Sequence, residues 1–231
     1  MNKIFLILPI ILIFSSNGYS QIDFNDFLKT LNGSSTGISS NLAEKRTVVV
    51  KGDPYLSKEW SLGYLYAAGT KSKAMPLRFN LAENAFEVQT ETNIIIIDSY
   101  RIEGVDFISP EKTVFKNGFA PNEEENIDKD TMFEVIYDGD FKLLKKNYIS
   151  LTKAVATYGT ANQEDVYKNY SKFYFYTANK KYVETKLKRK DILSFFDKKD
   201  QKKVEKYAKE NNLSFKDKNE VVAILKYAEA Q

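Results

Sequence analysis

The side chains best placed to do chemistry in this chain are carboxylates. The 231 residues include no histidine and no cysteine, so imidazole and thiolate are excluded as bases and nucleophiles and zinc loses its usual ligands. Carboxylate, lysine, tyrosine, serine and threonine chemistry remains. Glu59, Glu87, Glu91, Asp98 and Glu103 fall in or beside extended segments. Two carboxyls suffice for glycoside hydrolysis, about 5–5.5 Å apart in retaining enzymes and about 6.5–9.5 Å apart in inverting ones. Sequence spacing does not set that separation, and carboxylates at strand edges serve equally as solvated surface. No constellation commits the chain to a reaction, and the expectation is a non-enzymatic protein without catalytic residue, cofactor or metal site.

Three other groupings suit binding. The acidic stretch at 121–130 offers oxygen ligands of the kind calcium takes, but it lacks the EF-hand order and is interrupted by Lys129; it reads as a solvated loop. Trp60, Tyr64, Tyr66, Tyr170, Tyr174 and Tyr176 can make a platform for glycan or peptide, or pack between strands, which aromatics also favour. Within that group Tyr174 and Tyr176 alternate onto one strand face with Lys172, a candidate ligand face. The third grouping is a lysine-rich tail, with 15 basic and 9 acidic residues from Lys180 onward. Lys199, Lys202 and Lys206 are its candidate partner contacts. Acidic residues are interspersed and no nucleic-acid-binding motif occurs, so the expected partner is an envelope protein, a glycan or an anionic membrane surface rather than nucleic acid.

The elements that position these residues follow from periodicity. From about residue 43 apolar positions alternate at 62, 64 and 66, at 75, 77 and 79, and at 86 and 88, after a β-branched run at 47–50. The isoleucines at 94–97 are apolar on both faces and predict a fully buried strand. Pro76 lacks a donor, which puts its strand at an edge or places the proline at a strand start. Two hairpins are predicted, 132–137 with 141–145 around Asp138-Gly139-Asp140, and 172–177 with 181–185 around Ala178-Asn179-Lys180. Asp-Gly supplies the positive φ of a tight turn. Residues 154–170 carry no clear period. Upstream, Phe24, Phe27, Leu28 and Leu31 predict a short helix, and the Gly/Ser-rich 33–40 a linker.

Beyond about residue 190 the period lengthens to that of helices. One is expected from 190, one over 199–211, and one opened by a capping box of Asp217 with Glu220. The fold class is α+β, an antiparallel β-sheet body, sandwich- or barrel-like, followed by a short C-terminal helical segment. The boundaries are 21–42 for the helix and linker, 43–186 for the β-rich domain and 187–231 for the basic helical segment.

The first twenty residues read as a secretory signal peptide: Lys3, an apolar run at 4–14, then a polar segment with Gly18 and Ser20 at −3 and −1. Cleavage is expected between Ser20 and Gln21. The apolar run is about half the ~20 residues a spanning helix needs, so no transmembrane span is expected in the mature chain. Without cysteine neither a lipoprotein anchor nor a disulfide is expected.

Lys51-Gly52-Asp53-Pro54-Tyr55-Leu56, Glu59-Trp60 and Gly63, then Pro76-Leu77-Arg78-Phe79-Asn80, Ala85-Phe86-Glu87-Val88 and Lys209-Glu210-Asn211-Asn212-Leu213 together resemble exported proteins of uncharacterised function from Bacteroidota. The resemblance covers 47–228; members usually have Gly or Ser at the position of Asp53 and Tyr at that of Phe79. It implies a β-sheet body with C-terminal helices in the cell envelope, periplasmic, outer-membrane-associated or secreted, and it carries over no catalytic residue. It also implies that Asp130-Thr131-Met132 is an acceptor pattern for O-glycosylation at Thr131. The expected function is a binding or interaction module. The competing classes are a carboxylate-dependent glycan hydrolase and a structural partner of a surface or secretion system onto which the basic helices dock.

Overall fold

The computed structural model describes residues 19–32, 50–153 and 165–230. The predicted signal segment up to residue 18, the linker, the β-branched 47–49 and residues 154–164 lie outside them. The elements in chain order are β1 (Ser20–Ile22), α1 (Phe24–Asn32), β2 (Val50–Lys51), β3 (Ser61–Ala67), β4 (Thr70–Ser72), β5 (Met75–Asn80), β6 (Ala85–Gln89), β7 (Ile94–Asp98), β8 (Gly104–Phe107), β9 (Thr113–Lys116), β10 (Phe133–Asp138), β11 (Lys142–Thr152), β12 (Asp165–Tyr176), β13 (Tyr182–Thr185), α2 (Arg189–Ser194), α3 (Lys198–Glu210) and α4 (Lys218–Glu229).

The strands form one open sheet, ordered β13-β12-β11-β10-β9-β8-β3-β5-β6-β7, with β1, β2 and β4 attached beside this path. Pairing is antiparallel except for β1 on β4 and β2 on β12. Most neighbours are consecutive in sequence, as hairpins joined by short turns must be. The β3–β9 half curls. Phe86 on β6 lies 6.3 Å from Phe107 on β8, centroid to centroid, although β5 and β3 stand between them; three strand spacings in a flat sheet would separate them by about 14 Å. The curl encloses Leu65, Leu77, Phe79, Phe86, Val105 and Phe115. Phe24, Phe27 and Leu31 of α1 enter the same cluster, so the helix expected ahead of the domain belongs to its core. The predicted Ser20–Gln21 cleavage bond lies within β1.

Several local expectations are corrected. The isoleucine strand β7 ends the sheet and is not fully buried: Ile97 is covered, while Ile94 is 49% exposed. The Pro76 expectation holds in its second alternative, since Pro76 is the second residue of an interior strand. The 138–140 turn forms, but Gly139 is not among the positive-φ residues. A Cβ at Gly139 would meet the Glu229 carboxylate at the end of α4, the mobile end of a side chain that can move aside. In the second hairpin Lys180 takes the left-handed conformation at φ 58°.

The three C-terminal helices form where expected, and Asp197 and Asp217 cap α3 and α4 through two backbone N–H groups each. The reciprocal half of the predicted capping box is absent: Glu220 accepts from Ser214 N–H at 2.6 Å. The helices share a core with the sheet, in which Ile192, Val204, Ile224 and Leu225 pack with Tyr137, Leu143 and Phe175. Tyr207 and Tyr227 stack between α3 and α4 at 3.9 Å. Buried Glu134 on β10 fixes α4 to the sheet, receiving Lys145 and Lys218 at 3.1 Å each. Burial pushes its carboxyl up, but the two ammonium groups outweigh that and hold it below the ordinary value.

Candidate ligand-binding face

The register of β11 on β12 sets opposite one another Tyr148 and Tyr170, Lys146 and Lys172, and Leu144 and Tyr174. Alternation puts these pairs, with Tyr176, on one face of the sheet. β10 reaches only as far as Lys146 on β11. Beyond it, residues 147–152 and 165–171 continue as a two-stranded ribbon, flanked by β2 only at Asp165 and Val166.

The loop at 117–131 covers the lower part of this face. Phe119 and Ile127 pack on Phe133, Leu144 and Tyr174, and Tyr176 Oη accepts from Ala120 N–H at 3.2 Å. Tyr174 is fully buried, which removes it from the predicted ligand face. Its hydroxyl donates to Glu125 at 2.7 Å, and burial, followed by Glu125, holds its ionisation far above the ordinary tyrosine value. Tyr176 is half-buried and seats the loop. Of the predicted trio only Lys172 faces outward, bridging Glu125 at 2.8 Å and Glu184 at 3.1 Å. Those contacts, led by Glu125, raise its ammonium to about 12.

A second aromatic pair, one ring exposed and one half-buried, lies higher, on the ribbon. Tyr148 and Tyr170 stack at 5.6 Å with 22° between their planes, and Tyr170 is 46% exposed. Exposed Lys168 lies on the same face two residues beyond Tyr170. Tyr148 was missed from sequence because its partner stands across an unassigned stretch; a register for 165–176 would have found it. At the foot of Tyr148 is a cavity of about 140 Å³ with Phe79, Leu81 and Met132 on its apolar side. The Asn147 amide nitrogen on its wall is buried without a hydrogen-bond partner among the described residues.

The acidic loop is organised by cations rather than by an ion site. Lys146 Nζ donates to the carbonyls of Glu125 and Asn126 at 2.7 and 2.6 Å, and Glu125 is drawn below its ordinary value, chiefly by Lys172 and then by Tyr174. Thr131 closes a turn before β10: its hydroxyl donates to Asp128 Oδ1 at 2.7 Å and accepts from Asp128 N–H. Because the folded carboxyls of Glu125 and Glu134 titrate below the ordinary 4.5, their contribution is complete above that pH and is lost as pH falls through the folded values. Acidification below about pH 4.5 is therefore expected to release the 117–131 loop. Hydrogen exchange at Phe119 and Ile127, unchanged between pH 6 and the acid limit, would count against this.

Glu87 is buried against Arg78 at 2.6 Å, Glu59, Glu91 and Glu103 are exposed, and Asp98 closes β7. Among the described residues no three Asp or Glu side chains group to hold a metal. Lys199, Lys202 and Lys206 are exposed along α3, at the i, i+3 and i+7 spacing of one helix face. No described helix is long and apolar enough to cross a membrane. No protein family, curated protein or solved structure matches this chain.

Proposed function

We propose that the chain is an exported envelope protein that binds a glycan on the Tyr148–Tyr170 ribbon and catalyses no reaction of its own. The tyrosine stack carries this reading: its exposed Tyr170 ring offers aromatic area for the apolar face of a sugar, with exposed Lys168 alongside for hydroxyl or acidic substituents. The adjoining cavity with the unpartnered Asn147 amide gives room for a small acceptor-bearing substituent. The signal-like N-terminus and the resemblance to exported Bacteroidota proteins support the envelope. The hydrolase alternative is disfavoured because Glu87, one of its candidate carboxylates, is buried and paired with Arg78. The α3 lysines favour a second contact, to an anionic envelope surface or a secretion-system partner, compatible with the first.

Affinity electrophoresis through gels containing envelope polysaccharide tests the reading. Retardation of the wild type is expected, and Tyr170→Ala or Tyr148→Ala should weaken it about tenfold, equivalent to about 1.4 kcal/mol. Equal migration of wild type and both variants would overturn the assignment.

A further inference from the structure

The sheet ends at β13, and its outer edge is bare. Thr177 N–H donates to the Lys181 carbonyl at 3.0 Å, and Val183 and Thr185 lie two and four residues further on, opposite Phe175 and Phe173. Hydrogen-bonded positions in an antiparallel pair alternate, so Lys181, Val183 and Thr185 bond to β12. The backbone N–H and C=O groups of Tyr182 and Glu184 therefore point outward, and none has a backbone partner beyond the sheet among the described residues.

A groove of about 260 Å³ runs beside this edge, between β13 and α2. Phe175 and Phe195 form its apolar floor, stacked at 4.0 Å. Val183, 46% exposed, forms one wall, and Glu184, Thr185, Lys186, Asp191 and Ser194 lie around the rim. Residues 180–190 hold six basic side chains and one acidic, Glu184. The Glu184 carboxylate is paired with Lys172, and Asp191 is the other acid at the rim. Lys180, Lys181, Lys186, Lys188 and Lys190 are exposed around the edge. Lysines of this kind repel a second copy bearing the same set, which protects the edge from self-pairing, and they attract an acidic chain.

We propose that β13 docks an acidic, extended peptide segment of a partner protein. The segment adds as a strand on Tyr182 and Glu184, and places an apolar side chain in the groove over Phe175 and Phe195. Main-chain hydrogen bonds supply affinity, and the groove and lysines supply selectivity, as in strand addition generally. This surface is separate from the Tyr148–Tyr170 ribbon and does not depend on glycan binding.

The test uses the full chain and two fluorescein-labelled seven-residue peptides, one alternating glutamate with valine and one alternating lysine with valine, read by fluorescence anisotropy. The acidic peptide is expected to bind and the basic one to fail. Glu184→Pro removes an outward N–H that β12 does not use, an edge position where proline is tolerated, and should weaken binding roughly tenfold or more. Glu184→Ala, which loses the side chain but keeps the N–H, should bind as the wild type does. Ser194→Trp fills the groove without touching the edge backbone and should also lose binding, so it decides the matter if the proline variant does not fold. Binding of the acidic peptide should slow hydrogen exchange at Tyr182 and Glu184. The proposal is overturned if the acidic peptide does not bind, if both peptides bind equally, or if Ser194→Trp binds normally. Concentration-dependent dimerisation abolished by Glu184→Pro would overturn it in favour of a second copy.

Discussion

Replacing Arg78 with alanine is expected to destabilise the protein by about 3–5 kcal/mol, the range for removing one partner of a buried ion pair. Arg78 on β5 faces Glu87 on β6 across the hairpin. Its Nε and Nη2 groups reach one carboxylate oxygen at 2.7 and 2.6 Å, and the two side chains are 20% and 8% exposed. The guanidinium also donates to Tyr55 Oη at 2.9 Å and lies 4.0 Å from the Tyr55 ring centroid and 4.4 Å from that of Trp60. Tyr55 in turn donates to the other oxygen of Glu87 at 2.9 Å. Burial, and then Glu87, pushes the Tyr55 hydroxyl up to about 12, so its proton stays in place as a donor. Alanine would leave Glu87 buried with only the tyrosine to solvate it. Arg78→Lys keeps the charge but loses the fork and the stacking on two rings, and should recover only part of the loss. Arg78→Met combined with Glu87→Leu removes both charges and should return stability close to wild type. Urea midpoints at constant m measure all three. A loss below about 1 kcal/mol for Arg78→Ala would mean that water reaches Glu87, and the buried-pair account would fail.

Phe175→Ala is expected to cost a similar about 3–5 kcal/mol, the range for truncating a buried phenylalanine. The side chain is fully buried where the sheet meets the helices, stacked on Phe195 and edge-on to Phe141 at 5.8 Å. The loss should appear as one cooperative transition, with near- and far-ultraviolet circular dichroism moving together, because sheet and helices share that core. Two separated transitions would show instead that the helical segment folds apart from the sheet. Reversing charge at exposed Lys199, Lys202 and Lys206 should leave stability within about 0.5 kcal/mol.

What could be read from sequence was whatever local chemistry determines. Asp197 and Asp217 announce helix starts because a carboxylate satisfies orphan N–H groups wherever the helix later packs. The 178–180 turn was legible for the same reason. What escaped was set by residues remote in sequence. Whether Tyr174 faces solvent depends on the 117–131 loop, and whether Ile94 is covered depends on which strand ends the sheet. Alternation gives a strand two faces without saying which is roofed. Arg78 and Glu87 could have been paired from the register of a short hairpin, but the stacking of Tyr55 and Trp60 above them could not. At Gly139 turn propensity placed the turn correctly, although the backbone there does not take the left-handed conformation that the Asp-Gly reading assigned to it.

The parallel contact of β2 with β12 sets an order of events when the chain emerges from its N-terminus. The strands from β3 to β10 all find a partner before β12 appears, β3 waiting longest, for β8 roughly forty residues on, so that part can assemble first. Val50 and Lys51 cannot, because Asp165 and Val166 follow more than a hundred residues later. Gly52, at φ 89° and pressed on the Tyr167 carbonyl, shares that delay. The segment made early is thus fastened late, and β2 acts as a clasp that closes only after the long β11–β12 hairpin has emerged.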